Sequence, residues 1–282
     1  MSENTRLEML LRHDQWIVYA GLVAITGLAW VYLLSGAGMG TNPFDMTALS
    51  LVPNQNAGMA MDMPEMNMVG GAWSLTQWFI VFMMWWIMMI AMMVPSASPM
   101  VLIYARVLRH AQKNNQIIHF AIPTTAFVSG YLISWFGFSI AATTLQWLLE
   151  QNNWLSMKMI SNNAWLSGGL LITVGIYQLT PLKLACLNHC RSPAEFISSH
   201  MKNGHWGALQ MGFKHGNFCV GCCWSLMLLL FVGGVMNLLW IAILALFVLS
   251  EKVLPHGQLF SRFTGYLLVV WGAVILITQL YQ

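Results

Sequence analysis

Long apolar stretches alternate with short polar ones along most of the chain. The first apolar stretch covers residues 16–34. A polar loop follows over 35–72, with Gly, Pro and Asn but no Lys or Arg. Further apolar stretches cover 73–94, 125–148 and 165–182, and Pro95 is expected to end the first of these three. Each is close to the ~20 residues a helix needs to cross a ~30 Å hydrocarbon core. Residues 218–254 are almost continuously apolar, and one straight helix of that length would reach about 55 Å, too long for a single crossing. Gly233 and Gly234, near Asn237, supply a turn that divides the run in two. A last apolar stretch covers 263–280. The pattern predicts an all-α, polytopic membrane helix bundle of about seven transmembrane helices.

Composition supports this reading. Hydrophobic residues make up 58% of the 282 and charged residues 7%, against about 25% charged in a soluble domain. The bundle is read as a single membrane domain over 1–282, with an anchor helix at 16–34, an outer loop at 35–72 and the helical body at 73–282. The 16–34 stretch exceeds the ~7–15-residue core of a cleavable signal and reads as a retained anchor. No long basic tract points to nucleic acid.

The placement of charge sets the orientation. With the N-terminus in the cytoplasm and seven alternating spans, all of the 12 basic residues except Lys158 fall on the inner side. This predicts a multi-pass protein of the inner (cytoplasmic) membrane, with the lipid bilayer as its surroundings.

That orientation matters for the five cysteines. It puts them on the reducing side, where thiols stay free, and an odd number does not suit a closed disulfide framework. Cys186 and Cys190 flank His189 at the end of one apolar stretch. Cys219, Cys222 and Cys223 open the next, and in a helix they share one face with His215. Thiolates are soft ligands suited to Cu(I), Zn(II) or an iron–sulfur cluster, and imidazole suits zinc and copper. Cys186, Cys190, Cys219, Cys222 and Cys223 are the expected thiolate ligands, with His189 and His215 as ligands or orienting groups.

Methionine supplies a second signal. Met59, Met61, Met63, Met66 and Met68 crowd the polar outer loop. A thioether needs no deprotonation and prefers Cu(I), so the loop is a candidate collector. Met84, Met88 and Met92 form a stripe at helical spacing that fits either a relay or, more simply, core packing. Lys183, Glu251 and Lys252 are further candidates, although near an interface such side chains are expected to snorkel to water. Glycine-rich phosphate loops and a Ser/His/Asp set are absent from the sequence, so no catalytic residue is assigned and the balance is against an enzyme.

Three motifs carry a resemblance. They are Ala91-Met92-Met93-Val94-Pro95-Ser96, the stretch from Pro181 through Cys186, His189 and Cys190 to Pro193, and the stretch from Met211 through His215, Cys219, Cys222 and Cys223 to Met227. Glu251-Lys252 also fits. In these the chain resembles a prokaryotic family of uncharacterised integral membrane proteins described as predicted metal-binding. The resemblance implies metal binding and no particular activity.

Ligand softness then points to the handling of Cu(I): transport, delivery, or service as accessory subunit to a copper-dependent membrane enzyme, with a soluble metal carrier as another partner. Two alternatives come from other classes. One is a membrane thiol–disulfide oxidoreductase using Cys219 and Cys222. The other is a structural subunit in which a metal staples two segments.

Overall fold

A computed structural model describes residues 3–37, 73–113, 121–155, 161, 163–202 and 204–281. The elements are α1 (Glu3–Leu34), α2 (Leu75–Lys113), α3 (Ala121–Gln151), α4 (Ala164–Leu179), α5 (Pro181–Arg191), α6 (Pro193–His200), α7 (Gly204–Leu228), α8 (Leu230–Gly233), α9 (Leu238–Val253) and α10 (Gly257–Leu280). The described residues hold no strand beyond an isolated bridge between Leu155 and Ser161. The fold is all-α, as the pattern predicts.

Among the described residues, four units are long and apolar enough to cross a membrane: α2, α3, α7 with α8 (Gly204–Gly233), and α10. The α4–α5 pair, bent by 63°, makes a fifth if it is one span. Within α1 the apolar part, Val18–Leu34, is shorter, and α9 has 16 residues.

The first departure from expectation is in α2, which does not stop at Pro95 but runs on through Pro99. A proline inside a helix removes one backbone donor and leaves the carbonyl four residues earlier without it. Here the Ser98 hydroxyl donates to the Pro95 carbonyl, at 2.7 Å, which Pro99 cannot serve. Ser96 Oγ likewise donates to the Met93 carbonyl at 2.9 Å. Such side-chain bonds are how helices tolerate internal prolines.

Between the apolar stretches that end at 182 and begin at 218 the chain is not a plain connector: it forms two short helices, α5 and α6, before α7 begins. Proline opens both, where its missing N–H costs nothing. Thr180 caps α5 by accepting from the Lys183 amide at 3.3 Å.

The division of the long apolar run falls where the glycines put it. Gly234 takes φ +98°, a conformation few other residues adopt. A Cβ on Gly233 would overlap the Trp240 ring. Asn237 then starts α9, its Oδ1 accepting from the Leu239 and Trp240 amides at 3.1 and 3.3 Å.

Packing places α1 on α2, α2 on α3, α3 on α7, α5 on α7 and α4 on α10. Two of these seams are built on glycine. Gly168 and Gly175 of α4 face Gly272 and Gly265 of α10. Between α3 and α7, a Cβ on Gly130 would strike the Leu209 carbonyl and one on Gly212 the Phe127 carbonyl. Small residues let apolar helices approach closely enough for backbone contact. The main core gathers the buried side chains of Met84, Trp85, Met88, Trp135, Cys219 and Phe231.

Candidate metal centre

The cysteine stretch of α7 is helical throughout, and His215, Cys219, Cys222 and Cys223 are all buried. Helix α5 lies against it and brings Cys190 to the same place. The Cys190 and Cys222 sulfurs are 4.0 Å apart, and those of Cys222 and Cys223 are 3.2 Å apart. Cys219 interacts with the thiols of Cys190, Cys222 and Cys223. Four of the five expected thiol ligands thus converge, from two helices separated by more than thirty positions (|i−j| is 32 for Cys190 and Cys222). All five cysteines are free.

The remaining candidates sit around this cluster rather than in it. Cys186, one turn before Cys190, rests its sulfur against Gly221 of α7, where a Cβ would lie 3.0 Å away. His189 turns outward and stacks on Phe218, ring centroids 4.4 Å apart. Its Nδ1 is 2.9 Å from the Ala185 carbonyl. A carbonyl only accepts, so Nδ1 is the donor in this contact, which leaves Nε2 as the ring nitrogen not engaged by it. His189 also lines a cavity of about 110 Å³ with Asn188, Ser192, Glu195, Phe196 and Ser199. His215, one turn before Cys219, is enclosed by the rings of Phe127, Tyr131 and Phe196, and its buried Nδ1 has no hydrogen-bond partner.

Three groups near the sulfurs were not anticipated as contacts. The Tyr131 hydroxyl of α3 lies 3.1 Å from Cys219 Sγ and donates to the Met93 carbonyl, also at 3.1 Å. Lys252 Nζ of α9 donates to Cys219 Sγ at 3.0 Å and to Ser96 Oγ at 2.9 Å. The signal for Tyr131 and Ser96 was weak but present: a hydroxyl in an apolar helix needs a partner.

The snorkelling expected of Lys183 and Glu251 does not occur. Their side chains are 0% and 1% exposed and form an ion pair at 2.6 Å. Lys252 also turns inward, to the sulfurs. Glu251 lies on the covered face of α9, although Val253 and Leu254 at the end of that helix are exposed, and a buried charge must be paired.

Met84, Met88 and Met92 are fully buried in the main core, which agrees with packing and leaves a relay as a proposal. The outer-loop methionines Met59, Met61, Met63, Met66 and Met68 lie outside the described residues.

Among the described residues, no group of three or more His, Cys, Asp or Glu side chains is disposed as a ready metal site. Facing thiols on two helices are soft ligands and suit a soft metal ion.

An all-α bundle with several helices apolar enough for a membrane, enclosing thiols from two helices, defines a class of helical proteins equipped for soft metals. Residues 82–275 match the model of the family PpoB2, described as "Copper chaperone", and the chain belongs to that family. The metal-related character implied by the sequence motifs agrees with this, and the family's description points to copper. No curated protein and no solved structure matches the chain.

Proposed function

We propose that this chain is a multi-pass protein of the cytoplasmic membrane that holds Cu(I) for delivery to a copper-dependent membrane enzyme. The observation that carries the reading is the approach of Cys190 on α5 to Cys222 on α7, sulfur to sulfur at 4.0 Å. Thiols on two helices grip an ion when they close and release it when they part. A structural metal instead needs a closed shell. In this reading α1, α2, α3, α4, α7, α9 and α10 each cross the bilayer, with the N-terminus inside. The Met-rich 35–72 loop collects the ion outside, and Met84, Met88 and Met92 pass it inward. His189, with Nε2 free beside Cys190, stands at the inner mouth.

Thiol–disulfide exchange is disfavoured by burial. Cys219, Cys222 and Cys223 are at most 1% exposed, and a partner disulfide must reach the attacking thiolate.

The deciding test is elemental analysis of detergent-purified protein beside a variant with Cys219, Cys222 and Cys223 all changed to Ser. The expected result is about one copper per chain in the parent and none in the variant. Zinc or iron lost in the same way would move the site to a structural or redox role. No metal in either protein, after anaerobic copper loading, would end the copper reading.

A further inference from the structure

The thiol cluster has a fixed cation built into its wall. Lys252 reaches Cys219 Sγ at 3.0 Å and is aimed there by Ser96, whose hydroxyl accepts from it at 2.9 Å and itself donates to the Met93 carbonyl. Cys222, Cys223 and Tyr131 also face the ammonium closely enough to act on its charge. The adjacent carboxylate does not serve it directly, because Glu251 is bonded by Lys183 at 2.6 Å. Lys183 and Glu251 cancel, so the set formed by that buried pair and the half-buried Lys252 carries one unbalanced positive charge.

We propose that Lys252 is a specificity-determining residue that selects Cu(I) by charge balance. A Cu(I) ion held by a pair of thiolates carries a single net negative charge, which Lys252 neutralises. Zn(II) on the same pair is already neutral, as the metal-free dithiol is, so Lys252 gives zinc no such gain. Uncompensated charge away from water is costly, so the site favours the ion whose thiolate complex matches its wall. This inference rests on the copper reading above and adds the device that discriminates between metals of similar softness. The thiol protons leave on metal binding. Lys252 is not a ligand.

The test uses the full-length protein in detergent under anaerobic conditions. Cu(I) and Zn(II) affinities are each measured by competition with a chromophoric chelator, for the parent, Lys252→Met and Lys252→Arg. Lys252→Met is expected to weaken Cu(I) at least about tenfold and to leave Zn(II) within about threefold of the parent, while Lys252→Arg keeps Cu(I) within about threefold of the parent. Unchanged Cu(I) affinity in Lys252→Met overturns the inference and leaves the copper site standing. Equal losses in both variants assign Lys252 to packing and also overturn it. A parent that binds no Cu(I) overturns the copper reading and this inference with it. If Lys252→Met does not fold, X-ray absorption at the copper edge of the loaded parent decides. A shell of about two sulfurs agrees with charge balance, and a larger sulfur shell overturns it.

Discussion

Glu251 and Lys252 are neighbours on α9 and are put to opposite uses. Glu251 meets Lys183 across the α5 seam in a closed ion pair, both side chains buried. Lys252 meets a sulfur, a serine and no direct carboxylate partner in that pair. The first arrangement is complete in itself and has nothing left to bind. The second is complete only when the sulfurs carry negative charge. Two adjacent residues therefore separate a fastening from a site, and what separates them is whether the partner's charge is permanent.

The comparison is broken most severely at the closed pair. Glu251→Gln leaves the Lys183 ammonium buried without its counter-charge and is expected to lower stability by about 3–5 kcal/mol. Replacing both, Lys183→Met with Glu251→Leu, should recover most of that loss, because an apolar pair of similar volume is often neutral or better. Unfolding in detergent, followed by helical circular dichroism, measures both. Recovery in the double variant assigns the pair to fastening alone, and continued loss would give it a further role.

A smaller effect is expected where α3 meets α7, the wall that carries Tyr131 and the cysteines. Gly212→Ala puts a methyl group into the Phe127 carbonyl and should cost about 1–3 kcal/mol. It should also weaken copper binding, since Tyr131 and Cys219 sit across that seam. A variant that loses stability but keeps copper affinity would show that the site tolerates a shift of the seam.

The smallest effect is expected at Tyr131. Tyr131→Phe removes one hydroxyl shared between Cys219 and the Met93 carbonyl. The stability cost should be about 1 kcal/mol, and the loss in Cu(I) affinity less than about tenfold. A larger loss in chelator competition would make Tyr131 a participant in the site rather than a brace for Cys219.

Particular residues show what a reader of the sequence can and cannot see. The turn at Gly233-Gly234 and the start of α9 at Asn237 were legible, because glycine and an N-cap asparagine act through local backbone chemistry. The shared face of His215, Cys219, Cys222 and Cys223 was legible for the same reason, since helical spacing fixes it. Continuation of α2 through Pro95 was not, because a proline locally reads as a helix end and only the packed helix shows that it is passed. Helix α5 was hidden by its basic, loop-like composition, although Thr180-Pro181 is a recognisable start. The pairing of Lys183 with Glu251, 68 positions apart, and the aim of Lys252 at Cys219, 33 positions apart, belong to tertiary packing. No local pattern announces them.

Helix α5 is fastened to the far side of the bundle at several points besides the ion pair. The Arg191 guanidinium donates to the carbonyls of Leu254 and Pro255, and Gln258 Nε2 donates to Asn188 Oδ1 at 2.6 Å. Cys190 therefore travels with the α9–α10 corner and with Lys252, while Cys222 travels with α7. An ion bridging Cys190 and Cys222 adds a bond between two sides of the bundle that are otherwise held by packing and a few hydrogen bonds, Lys252 to Cys219 among them. By linkage, a ligand bound to the joined form alone raises unfolding free energy by RT ln(1 + [L]/Kd), about 2.7 kcal/mol at a hundredfold excess over Kd. Melting temperature then becomes a gauge of cargo: the loaded protein is the stiffer one, and giving up its metal loosens it.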